Sequence, residues 1–347
     1  MLYEVNMITQ IHPVQLQYSH TIGRAEFSGP GFRAPVGIAR GADDRLYVLN
    51  RSYEGRPDGK RITICTVGNE EYITEFGRGV AAEQAEEDAP DGRFMWPTAI
   101  ALDKAGNVYV SDEWYNRISI FTKDGTWIGK WGTPGAGDGE LNRPSGMAFD
   151  PDDNLYVVDS LNNRVQKFTK EGKFLAKWGT AGSGAGEFNM PWGIAIDTEG
   201  NVYVTDWRND RVQKFTADGR FLMQFGTSGS GEGELNRPTG IAVDQAGVIY
   251  VADWRNDRLQ VFDAEGSFIE KLTGEATVSR WGKEKLDANA EMWLQRQKAQ
   301  GLEREKQFWS PSAVEVDDEN RIFVAETARS RVQVYLKQIP YFIGDRL

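Results

Sequence analysis

The chain of 347 residues carries 51 acidic against 40 basic side chains, a formal charge of −11. That balance argues against nucleic acid as a partner, because affinity for phosphate backbones rests on clustered Lys and Arg. With 40% hydrophobic and 12% aromatic residues the chain can bury a core, which excludes wholesale disorder, and no apolar run is long enough to span a membrane.

The opening residues, Met1-Leu2-Tyr3-Glu4-Val5-Asn6, lack the basic and apolar regions of a secretory leader, so a cytoplasmic chain is expected. The run from Gln17 to Ile22 is β-like, and Gly23 follows it 12 positions before Pro35. The same interval separates Gly132 from Pro144, Gly179 from Pro191 and Gly226 from Pro238. Segments starting at Pro97, Pro144, Pro191 and Pro238 recur every 47 residues, with looser copies at Pro35 and Pro311.

Each copy holds four short β-rich runs closed by Asp, Asn or Gly turns, as in Pro144–Asp150, Asn154–Asp159, Arg164–Phe168 and Gly172–Gly179. One small twisted sheet cannot bury both its faces, whereas sheets packed radially can. The expected fold is all-β: a single domain over residues 1–347, a six-bladed β-propeller with four-stranded antiparallel blades. Its N-terminal strand closes the last blade and removes an open edge. The single Cys65, in Ile62-Thr63-Ile64-Cys65, forbids an internal disulfide and reads as a core residue.

The pattern Pro-x-Gly-Ile-Ala-x-Asp, Gly-Asn-x-Tyr-Val-x-Asp, Asn-x-Arg-Val-Gln-x-Phe, clearest in Pro191–Phe215 and Pro238–Phe262, resembles the NHL repeat. That resemblance implies the propeller and leaves function open. Its known members include substrate-binding domains of tripartite-motif ubiquitin ligases, a bacterial receptor-kinase sensor and the peptidylglycine amidating lyase. The lyases hold zinc with histidines from several blades, and the streptogramin-lyase type of propeller also relies on histidine. This chain has only His12 and His20, both before the first full repeat, so neither activity is expected.

Gluconolactonase-like and regucalcin-like propellers hold a divalent cation with Glu, Asn and Asp. Here a ring of acids, Asp112, Asp159, Asp206, Asp253 and Glu326, with Asn50 in the first blade, stands at equivalent positions. Each acid is followed five residues later by Arg117, Arg164, Arg211, Arg258 or Arg331, so the ring is read as structural ion pairs rather than a metal site. No metal and no cofactor is expected on this reading. The Gly-rich stretches Gly132–Gly137 and Gly226–Gly231 lack the Lys-Ser/Thr of a phosphate loop and read as interblade connectors.

Loops joining second to third strands and loops joining blades emerge on one face, the upper face. All three large departures from the repeat fall there: Tyr53–Asp58, an acidic Glu83–Asp88 segment, and a helical insertion at 275–308. Within the last, a helix from about Lys283 to Gln300 places Leu286, Ala290, Trp293 and Leu294 on one stripe, and a lid with Trp293 facing the mouth is expected.

Aromatics collect at the same level: Trp114-Tyr115, Trp207-Arg208 and Trp254-Arg255 after the acids, Trp96, Trp192 and Trp309 beside the prolines. Trp beside Arg is the composition of binding hot spots. These residues are the expected ligand contacts of a binding scaffold that takes a protein, a peptide or a small organic molecule. Trp131 and Trp178 are assigned to packing. The alternative is a lyase, hydrolase or isomerase using acids and arginines at the channel mouth, and calcium or another divalent cation enters only there.

Overall fold

The computed structural model describes residues 14–53, 56–80 and 90–338. It is an all-β six-bladed propeller with four-stranded antiparallel blades. In blade four, the strands Pro191–Ile196, Val202–Asp206, Arg211–Phe215 and Phe221–Phe225 pair in that order from the channel outward. Blades one, two, three and five repeat it from Pro35, Pro97, Pro144 and Pro238. Blade six takes three strands from the C-terminal part, Pro311–Val316, Arg321–Glu326 and Arg331–Gln338.

Its fourth strand is Gln15–Ile22, paired antiparallel to Arg331–Gln338 from Gln15↔Gln338 to Ile22↔Val332 with a bulge between Tyr18 and His20. The clasp therefore starts two residues earlier than the β pattern indicates. The leftover tail from Ile339 lies outside the described residues, as do His12 and the acidic segment Glu83–Asp88.

Alternating strand residues of neighbouring blades fill six apolar interfaces. Between blades three and four, Tyr156, Val158 and Val165 meet Ile194, Val202, Val204 and Phe215. Trp131 and Trp178 leave the ends of outer strands to pack on the next blade's Phe168 and Phe215, at ring-centroid distances of 4.9 and 6.0 Å. Cys65 lies in the interface between blades six and one, where burial pushes its thiol pKa up and makes it a poor nucleophile.

At the upper end of the channel the first strands nearly touch. A Cβ on Gly193 would sit 2.1 Å from the Thr239 carbonyl, so the third position of the strands is restricted to Gly37, Ala99, Gly146, Gly193, Gly240 and Ala313. Hydroxyls stitch the blades together there. Thr98 donates to Pro144 O (2.8 Å), Ser145 to Trp192 O (2.8 Å) and Thr205 to Thr239 O (2.8 Å), and Ser312 and Thr327 close the ring on Pro35 O (2.9 and 2.8 Å).

The helical insertion differs from the expectation. It forms three helices, α1 (Arg280–Asp287), α2 (Ala290–Lys298) and α3 (Glu303–Lys306), rather than one. Asn289 breaks the run: its backbone leaves the helical region and its side chain caps α2 by accepting from Glu291 N. The expected stripe does not face inward either, since Leu294 is 55% exposed and Ala290 is exposed.

The anchor is Trp281, ahead of the expected start. It is 3% exposed, edge-on to Phe32 at 5.8 Å, and its backbone N–H donates to the Glu70 carboxylate (3.1 Å). Arg280 donates to Asn69 O (2.6 Å), so α1 docks on the rim where blades six and one meet.

Candidate ligand-binding face

In three consecutive blades the ring acid is the centre of one repeated network. Asp206 accepts from Asn189 N (2.8 Å), Asn209 Nδ2 (2.8 Å), Arg211 Nε (3.0 Å) and Gln213 Nε2 (3.3 Å). Arg211 donates further to the connector carbonyls of Ser183 (2.7 Å), Gly184 (2.8 Å) and Glu187 (2.8 Å) and to Gln224 Oε1 (2.8 Å). Asp159 with Arg164 (2.7 Å) and Asp253 with Arg258 (2.7 Å) repeat the arrangement. Burial pushes the pKa of all three acids up, while the hydrogen bonds and the arginines act against it.

Glu326 pairs with Arg331 in blade six and also takes Trp309 N (3.0 Å). In blade two Asp112 is held by backbone N–H groups of Met95 (2.7 Å), Trp96 (3.2 Å), Trp114 (3.0 Å) and Tyr115 (3.3 Å), while Arg117 donates to Arg93 O (2.9 Å). Blade one departs furthest. Asn50 donates to Val48 O and Arg61 O (3.0 and 3.1 Å), and Arg61 turns to Glu75 (2.8 Å). The partners missed in the sequence, Gln166, Gln213, Gln260 and Gln333, follow each arginine by two residues. That recurrence is the signal that identifies them.

The aromatic residues do not form one ring. Trp192, Trp207 and Trp254 make a row across blades four and five, with centroids 6.5 and 6.4 Å apart and planes inclined by 38° and 39°. Trp207 and Trp254 directly follow ring acids, where blades three and six carry Ser160 and Thr327. Trp192 takes the place of a stitching hydroxyl and borders an 80 Å³ cavity in the upper channel.

Three guanidinium groups flank the row. Arg237 lies over Trp207 at 4.5 Å, Arg208 over Trp207 at 5.8 Å and Arg255 over Trp254 at 5.6 Å. Among the described residues none of the three has an ion pair, and Arg237 Nη1 is buried without a hydrogen-bond acceptor. Arg237 was not expected, although it stands just before Pro238 as Arg143 stands before Pro144.

The remaining candidates are placed apart from the row. Trp114 is 52% exposed and stands one residue later in its loop than Trp207 does in its own. Tyr115 is not on the face: it is buried against Val80 and Met95, with Trp96 beside them. Trp96 stacks under Arg51 at 4.3 Å, and Arg51 pairs with Glu113. Trp309, 52% exposed, lies beside Arg329 at 5.0 Å. Trp293 donates to Asp287 within the insertion (2.9 Å), a contact on its own helices rather than on the channel mouth.

His20 sits in the outer strand of blade six, its Nε2 3.1 Å from Val67 O, and burial lowers its pKa. The described residues contain no group of three or more His, Cys, Asp or Glu arranged to hold a metal, and no helix long and apolar enough to cross a membrane.

Residues 137–229 match the family described as SMP-30/Gluconolactonase/LRE-like region, and residues 198–342 match a family described as 6-bladed beta-propeller. No curated protein matches by sequence. A solved protein of unknown function from Bacteroides thetaiotaomicron VPI-5482 is similar with a TM-score of 0.63 at 17% identity, over 94% of this chain and 76% of that one. A streptogramin B lyase superposes with a TM-score of 0.56 at 12% identity, over 94% and 98% of the two chains.

A catalytically inactive virginiamycin B lyase from Staphylococcus aureus, solved with quinupristin, gives 0.53 at 14% identity over 93% and 88%. At these identities the likeness is one of fold.

Proposed function

We propose that this NHL-type propeller is a binding module whose upper face, over blades four and five, captures an anionic ligand with a flat or apolar body, such as a carboxylate-bearing peptide or small organic acid. The observation that carries the reading is the row Trp192, Trp207 and Trp254, set beneath Arg208, Arg237 and Arg255 that have no ion-pair partner among the described residues. Tryptophan supplies rigid contact area at small entropic cost, and an unpaired guanidinium beside it accepts a carboxylate in bidentate geometry.

The ring acids support structure in this reading, because Asp159, Asp206 and Asp253 each spend their lone pairs on donors of their own and the adjoining connector. No metal or cofactor is required.

The test is capture of carboxylate-terminated and amide-capped versions of a peptide library on the whole protein, followed by Trp207→Ala and Arg237→Ala. Binders are expected to prefer the free carboxylate and to lose about 2 kcal/mol or more with Trp207→Ala. Equal capture of capped and uncapped peptides, or affinity unchanged in both variants, removes the reading.

A further inference from the structure

We propose that the opposite end of the channel, at the seam between blades six and one, is a binding site for a small organic cation, a primary ammonium on a short alkyl body, with Glu315 as its counter-charge.

The repeat itself exposes the site. At the fifth position of the first strand, blades one to five carry Ala39, Ala101, Ala148, Ala195 and Ala242, each paired across the sheet with a tyrosine. Blade six carries Glu315 opposite Phe323. Alanine there costs nothing to bury, whereas a half-buried carboxyl lining a channel with aliphatic walls loses part of its hydration and gains from a partner.

Glu315 has none: no hydrogen bond or ion pair to its side chain occurs among the described residues. Its burial, only partly offset by Arg40, pushes the carboxyl pKa up to about 8.

The neighbouring cations are already matched. Arg40, where the other blades have Leu102, Phe149, Ile196, Val243 and Val316, lies over Phe323 at 5.2 Å and faces Asp317 and Asp44 at 3.5 and 3.7 Å. Arg321 is held by Asp317 and Asp44 (2.7 and 3.1 Å) and lies 3.4 Å from Glu319. On blade five Asp244 is paired with Lys337. Among the described residues no cation at this seam is thus left over for Glu315, and Asp43 and Asp318 at the mouth have no ion pair either.

A ligand has room to supply it. Glu315 and Arg40 border a channel cavity of 260 Å³ with Ile100, Met147, Ile194 and Ile241 in its walls, just below the usual range of small-molecule sites of about 300–1,000 Å³. Arg40 and Val316 also line a surface pocket of 470 Å³ at the lower mouth, where Asp43, Asp44, Asp317, Asp318 and Glu319 outnumber Arg40 and Arg321. That excess of negative charge draws cations towards the channel.

A single carboxylate selects an ammonium over a divalent metal, which demands several oxygen ligands. When the ammonium docks, the Glu315 O–H bond breaks, the proton passes to the buffer, and the carboxylate keeps the electron pair that faces the cation.

Glu315 also borders the small upper-channel cavity beside Trp192, but the proposal does not rest on the upper-face reading, so either can fail alone. Titration calorimetry of the whole protein at neutral pH with n-butylammonium and with 1-butanol, in two buffers of different ionisation heat, tests it. The expected result is amine binding with release of close to one proton, about tenfold or more tighter than the alcohol, and lost about tenfold or more in Glu315→Gln and Glu315→Ala. Glu315→Ala restores the residue of the other five blades, so thermal melting is expected to show a folded protein.

Butanol binding as tightly as butylammonium, binding that survives Glu315→Ala, or no amine binding into the millimolar range overturns the proposal.

Discussion

Blades three to five and the seam between blades six and one are built from the same repeat and put it to different ends. In the regular blades the acid, arginine and glutamine are locked in identical networks, as at Asp206, Arg211 and Gln213, and the fifth position is alanine. At the seam the acid position of blade one carries Asn50, the fifth position of blade six carries Glu315 and the sixth position of blade one carries Arg40, and new partners appear: Arg61 pairs with Glu75 and Arg40 with Asp317. Repetition marks what holds a solenoid-like ring together, and a departure from it marks where a residue answers to something other than the ring.

The upper face shows the same contrast. Trp192, Trp207 and Trp254 stand where other blades place stitching hydroxyls, and they are clustered in two adjacent blades rather than spread around six.

The sharpest way to break this comparison is Asp206→Ala. It leaves the buried Arg211 without its charge partner, and equilibrium denaturation is expected to show a loss of about 3–5 kcal/mol. If the loss is below about 1 kcal/mol, the networks are decoration rather than support.

Asn50→Asp asks the converse question, because it installs the regular acid in the irregular blade. The Asn50 amide donates to two carbonyls at 3.0 and 3.1 Å, so a carboxylate there meets acceptors with nothing to donate. A destabilisation of about 1–3 kcal/mol is expected despite the move towards the repeat.

Glu315→Ala has a pH signature. The folded carboxyl has its pKa raised from 4.5 to about 8, so the folded state binds the proton more tightly than the unfolded chain. The stability this confers is fully present below the ordinary pKa and is lost as pH rises towards 8. Thermal melts are therefore expected to show the variant gaining on the parent across that window, by on the order of 4 kcal/mol at its upper end. Parallel pH profiles would contradict the raised pKa of the Glu315 carboxyl.

The smallest effect is expected from Arg208→Ala. It is exposed and beside Trp207, so ligand affinity is expected to fall by about 1 kcal/mol, with a weaker dependence on salt and unchanged stability.

Much of this was legible in the chain. The 47-residue interval and the matching Gly-to-Pro spacing at Gly23 and Pro35 are enough to count six blades and to assign the first strand to the last blade. The acid-to-arginine spacing of five places both at one hairpin end, and they meet there as ion pairs in blades three to six. The candidate site was read less well. Tyr115 shares its tripeptide neighbourhood with Trp114 yet turns into the core, because side-chain direction in a tight loop depends on backbone angles that residue type does not specify. The insertion's stripe failed because short helices are placed by one anchor, Trp281, and not by periodicity alone.

Local pattern by itself determined the number of sheets, their strand order and the closing clasp, since these follow from short-range turn chemistry repeated along the chain. Only the tertiary structure decided that three tryptophans from two blades form one row, and that Glu315 lies opposite Phe323 at a seam with every neighbouring cation matched. The reason is physical. A repeat specifies how each sheet hydrogen-bonds to itself, but which side chains share a volume, and whether a buried charge finds a partner, depends on residues far apart in sequence brought together by radial packing.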